Sequence, residues 1–180
     1  QCLHHQGNTI AHVQRHTLIR NGLYKYRKLT SDGQKGGPDV QADFKFTSIR
    51  NDFCHAFLSY FDIVFSHNDL LPANFIQDQE KIWLIDWEYA GFNTPLFDLG
   101  GLASNNDFTE DEERYLLENY FEKKLSSELL IKYKAIKCAS LLRETMWRMV
   151  SELTSKIEFD YKSYTSNNLA KLNSAYENIK

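Results

Sequence analysis

Apolar and polar positions change rhythm along this chain. In the second half Leu129, Leu130, Tyr133 and Ile136 recur at helical spacing, and the pattern predicts helices over about 109–122, 127–153 and 158–178. Two further helical patterns, over about 9–30 and 42–60, flank TSDGQKGGPDV, whose glycines, proline and aspartates predict a loop. Between these regions FDIVFS (61–66) and KIWLID (81–86) are short, β-branched and aromatic runs, which predict buried strands. FIQDQEK between them predicts a strand end and a hairpin turn, after Gly91 the chain is expected to turn helical, and Thr94 followed by Pro95 predicts an N-cap and the first helical position. The expected architecture is one α+β domain over 1–180, mainly helical, with a small β-hairpin at its centre.

Composition narrows the class. With 42% apolar and 14% aromatic residues, 180 residues suffice for a packed globule. Cys2, Cys54 and Cys138 are scattered and odd in number, which argues for a reducing compartment and a cytoplasmic location. Cys54 and Cys138 fall in helical patterns and are expected as small core residues, and the Cys2, His4, His5 cluster matches no zinc spacing. No apolar run reaches the roughly 18–20 residues of a membrane span, so no membrane partner is expected. No basic stripe is interleaved with aromatics, so nucleic acid is not expected either.

The net charge of -3 hides an asymmetry: residues 61–120 hold 2 Lys+Arg against 13 Asp+Glu. Part of this is TEDEE, where Thr109 and Glu112 stand at capping-box spacing. Asp69, Asp86, Glu88 and Asp98 instead sit among apolar residues. Buried acids need a partner, usually a cation.

Chemistry concentrates in HNDLLPANF, His67 to Phe75, where Pro72 forbids a helix interior. Phosphoryl transfer from ATP needs a carboxylate to orient the attacking hydroxyl and take its proton, and oxygen ligands for magnesium. Asp69 suits the first task. Asn74 offers an amide oxygen to the metal, and Asp86, at the end of the next strand, offers a carboxylate.

SHNDLLPANFI followed by LIDWEYAGFNTPLFDLG resembles the choline and ethanolamine kinase family, within the group of protein-kinase-like folds that includes the aminoglycoside phosphotransferases. Bacterial choline kinases look most similar. The resemblance implies the C-terminal lobe of such a kinase, with Asp69 as catalytic base, Asn74 and Asp86 as Mg2+ ligands, His67 as a structural member of the loop, and Asp98 bonding the loop from the helix behind it. It is dense over about 61–102 and looser to about 170. ATP would be the co-substrate and phosphocholine the product. A quaternary ammonium is held by aromatic faces and carboxylates, for which Trp87, Tyr89, Trp147, Tyr161, Tyr164, Glu88 and Glu144 are candidates. The family places Tyr89, Trp147 and Tyr164 in the choline cage. Where animal members carry a further tryptophan, this chain has Glu144, one helical turn from Trp147 and expected to face the same pocket.

Nothing before residue 61 reads as the lysine-bearing strand and glycine-rich loop of a kinase N-terminal lobe, so that lobe is expected to be absent. Its exposed interface would leave an apolar patch able to drive homodimerisation. The competing readings are a kinase for another amino alcohol, such as ethanolamine, thiamine or an aminoglycoside, and an isolated lobe that binds its ligand without turnover.

Overall fold

The computed structural model describes residues 62–179. The helices expected over 9–30 and 42–60, the loop between them, and Cys2, His4, His5 and Cys54 lie outside the described residues.

Four short strands precede four helices: β1 (Val64–Ser66), β2 (Phe75–Gln77), β3 (Ile82–Leu84) and β4 (Gly91–Asn93), then α1 (Pro95–Asn105), α2 (Glu110–Phe121), α3 (Ser127–Thr154) and α4 (Tyr161–Glu177). The central hairpin is β2–β3, antiparallel with Phe75 opposite Leu84. Asp78 closes its turn, because its carboxylate accepts from the amides of Glu80 and Lys81 and from the Trp83 indole.

Two strand expectations are corrected. β1 pairs with β4, Phe65 opposite Phe92, and Gly91–Asn93 forms a strand where a direct passage into helix was expected. GFN carries no alternation that would announce a strand; it pairs because β1 lies opposite, and the Asn93 amide adds a bond to Asn68 Oδ1 at 2.7 Å just past β1. Burial of the second run fails too, since Ile82 is 65% exposed. A two-stranded ribbon has two faces, and no second layer among the described residues covers them.

The helices begin where local chemistry sets them. Pro95 holds the first position of α1 as expected, but Thr94 makes no side-chain cap bond; Asn93 Oδ1 accepts from the Thr94 amide instead. The Thr109–Glu112 capping box forms in full at the head of α2. α4 starts at Tyr161, later than expected, because the Asp160 carboxylate accepts from the Ser163 amide and fixes the N-cap there.

The long α3 is the axis of the core. Tyr133 and Ile136 pack against Leu96, Leu99 and Leu117 on one side. Cys138, Leu142 and Met146 pack with Leu172 and Tyr176 of α4 on another. Cys138 is a free thiol as expected, and burial pushes its pKa up to about 12. At Gly100 a Cβ would stand 2.7 Å from the Lys137 Cα, so only glycine lets α1 lie this close to α3. Among the described residues no helix is long and apolar enough to cross a membrane.

Candidate active site

The segment after β1 is held almost entirely by hydrogen bonds. Asp98, in the first turn of α1, accepts from the backbone N–H of His67 on one oxygen and of Asn68 on the other, both at 2.7 Å. These bonds let Asn68 adopt a left-handed conformation (φ 65°), which asparagine tolerates better than most residues. The Asn68 amide in turn donates to the Tyr89 carbonyl at 3.1 Å. The Asp98 carboxyl is raised above the usual carboxylate range by burial, against the pull of the two amides, His67 and Arg143.

Beyond Asp69 the chain makes a 3-10 turn over Pro72–Asn74, with proline at the first position, where a backbone N–H would have no partner within the turn. The Asn74 side-chain amide donates to the Asp69 carbonyl at 2.9 Å, leaving its oxygen without a donor among the described residues. Two bonds join this turn to the end of β3: the Ile85 amide donates to the Asn74 carbonyl at 3.0 Å, and His67 Nε2 donates to the Ile85 carbonyl at 2.8 Å. His67 is therefore a buried tie between the loop and the segment carrying Asp86. Asp86 itself is exposed and left-handed, at φ 63° and ψ 63°.

Sequence reasoning missed two arginines of α3. Arg143 Nη2 donates to Asp69 Oδ1 at 2.8 Å and reaches Glu144 at 3.4 Å. It is the cation the buried acid called for, but an arginine within an amphipathic helix carries no mark of a partner 74 residues away. Arg148 bonds Glu144 Oε1 at 2.6 Å and the Tyr164 hydroxyl at 2.7 Å. Its guanidinium carbon lies 3.8 Å from the centre of the Tyr164 ring and 5.1 Å from that of Trp147.

The structure thereby groups Glu144, Trp147 and Tyr164 around Arg148. Tyr89 lies across Arg143, 6.0 Å from its guanidinium carbon. Glu144 is buried, and its carboxylate is engaged by two arginines rather than open. Trp147 is 48% exposed, so it is not a core residue. Tyr161 is turned to Ser155, with Phe159 packed on both Tyr161 and Tyr164. Trp87 stands apart, stacked on Phe65, edge-on to His67 and bonded to the Leu84 carbonyl.

As a donor set, Asn74 and Asp86 provide one amide oxygen and one carboxylate. Among the described residues no group of three or more His, Cys, Asp or Glu converges as a metal cage. A magnesium ion suits such a sparse set, because it keeps waters and takes substrate oxygens as its remaining ligands.

A helical body carrying a hydrogen-bonded loop and a short hairpin at one end is the C-terminal lobe of a protein-kinase-like fold. The Choline/ethanolamine kinase family model matches residues 16–173, and the chain belongs to that family. Protein LicA of Haemophilus influenzae is 27% identical over 114 residues, covering 62% of this chain and 42% of the relative. A probable ethanolamine kinase of Arabidopsis thaliana is 30% identical over 121 residues, covering 57% of this chain and 32% of the relative. The chain thus spans less than half the length of these curated relatives. Among solved structures, a choline/ethanolamine kinase family protein from Mesorhizobium loti superposes with a TM-score of 0.73 at 23% identity, covering 88% of this chain and 54% of that one.

Proposed function

We propose that this protein transfers a phosphoryl group from ATP to the hydroxyl of choline, giving phosphocholine. The observation that carries the reading is the Asp98-held loop, which fixes Asp69 beside Asn74 and ties both to the segment of Asp86. Arg143 occupies Asp69 Oδ1 and holds that carboxylate in place; Oδ2 is left to orient the alcohol and take its proton. Asn74 and Asp86 would hold Mg2+, which when bound neutralises phosphate charge. His67 and Asp98 touch no reactant in this scheme; they position the loop.

At the other end of the substrate, Tyr89, Trp147 and Tyr164 supply the aromatic faces that suit a quaternary ammonium. One observation favours ethanolamine as a second reading. Glu144 is a buried carboxylate at the rim of this group, and a primary ammonium can donate to it whereas a quaternary one cannot. The Arabidopsis relative is described as a probable ethanolamine kinase. The free thiol of Cys138 suits a reducing, cytoplasmic setting, where the ATP of this scheme would be at hand.

The test is transfer of labelled phosphate from ATP to choline and to ethanolamine, by the complete polypeptide carrying this chain. The expected result is phosphocholine as the faster product. Asp69→Asn should lower kcat by about 10²–10⁴-fold, the usual contribution of a general base. Phosphorylation of ethanolamine alone would move the assignment to the second reading. Transfer to neither alcohol would remove both.

A further inference from the structure

The arginine at the amine end stands where a substrate cation would have to go. This rests on the reading of Glu144, Trp147 and Tyr164 as the amine site. A guanidinium lying 3.8 Å from the Tyr164 ring centre makes a cation–π contact of the kind an ammonium ligand would make there. The same group neutralises Glu144 at 2.6 Å, one helical turn before it on α3. Arg143 also reaches Glu144 while holding Asp69, so two carboxylates and two guanidiniums already balance each other. An incoming ammonium meets no unpaired negative charge in this group. It would meet instead an arginine buried to about nine-tenths, a setting in which repulsion is weakly screened.

The hold on Arg148 is nevertheless incomplete. Its Nε is buried with no acceptor among the described residues, which disfavours the seated position. Trp147 beside it is exposed, so the side chain has an open flank through which to swing outward.

We propose that Arg148 is a resident cation, seated on the amine site, that must leave Tyr164 and Glu144 before a cationic alcohol binds. It then sets substrate affinity directly. Its departure exposes the Tyr164 face and frees Glu144 from one of its two arginines, which converts a balanced cluster into one that attracts a cation. The chemistry step is untouched, because Asp69 keeps its own arginine, Arg143.

Tetramethylammonium, which has the cation but no hydroxyl, isolates this site from the catalytic loop. Titrated calorimetrically into the full chain, it should bind about tenfold tighter to Arg148→Ala and Arg148→Gln than to the parent, the equivalent of about 1.4 kcal/mol. Glutamine retains a side chain able to bond Tyr164, so it separates loss of charge from loss of packing. Arg148→Lys keeps the charge and should bind no tighter than the parent. In an active enzyme the same neutral variants should lower KM for the amino alcohol by a larger factor than any change in kcat. Equal or weaker binding by both neutral variants, in protein with parental circular dichroism, would overturn the proposal. An equal gain in the lysine variant would overturn it too, since charge would not be the cause. The kinase reading is scored apart from this: variants that gain affinity in a protein transferring phosphate to no alcohol sustain the resident cation and refute the kinase.

Discussion

One carboxylate, Asp98, holds the amides of both His67 and Asn68, and its ionisation state therefore reaches the loop before it reaches anything else. Burial raises its pKa. A carboxyl raised in the folded state contributes stability below its unfolded pKa and loses that contribution as pH rises through the folded value, so the ionised form at neutral pH is held at some expense of stability. The loop needs that ionised form, because protonation removes one of its two acceptors. The acid limb of kcat/KM should therefore fall above the ordinary carboxylate range, and a pH profile would show it. In Asp98→Asn one amide loses its acceptor and faces an NH2 group. An unsatisfied buried donor costs about 1–3 kcal/mol, so kcat/KM should drop by roughly ten- to hundredfold with the acid limb displaced. At this scale the sequence was legible wherever chemistry is local. HNDLLPANF and LIDWEYAG present their candidate site residues within short runs, whereas Arg143 and Arg148 join the site only through contacts across the fold.

Helices and strands differ in how much of their origin lies within them. α2 and α4 are set by caps a few residues long, Thr109 with Glu112 and Asp160 with Ser163, and such signals can be read without a neighbour. The error at the start of α4 came from following apolar rhythm past its cap. β4 could not be read at all, because Gly-Phe-Asn has neither β-branching nor alternation and is a strand only opposite β1. Packing between helices is likewise hidden, and Gly100 shows why. By propensity alone, Gly100→Ala should stabilise α1 by roughly 0.8–1.0 kcal/mol. The added methyl would meet the Lys137 Cα at 2.7 Å, and a helix backbone cannot turn aside as a side chain can. Overpacking of this kind costs about 1–3 kcal/mol, so the contact should win. Chemical denaturation should place Gly100→Ala below the parent in stability. Gly101→Ala, which meets only Ser140 Oγ at 3.1 Å, should be the milder change.

At the scale of the whole fold, the described residues 62–179 are lopsided. Their helical side closes a continuous core around α3, while their strand side turns Phe65, Phe92, Trp83 and Ile82 outward. Phe65 is 63% exposed although it stacks on Trp87 and touches Phe92, so these rings form a patch rather than scattered surface residues. Contiguous apolar surface of this sort marks a place where something else packs. The charge pattern does not oppose self-association there: Lys81, its ammonium 3.9 Å from the Trp83 ring, lies beside the acidic Asp78 turn. The chain by itself should therefore associate as its concentration rises, and sedimentation velocity over a range of loadings should show the mean coefficient climbing. Replacing Phe65 and Trp83 together by serine should flatten that dependence without changing the helical circular dichroism, since neither residue belongs to the α3 core. A coefficient that stays at the monomer value throughout, with no rise in fluorescence of an apolar dye, would mean that the patch is satisfied within one chain and that association has no part in how this protein works.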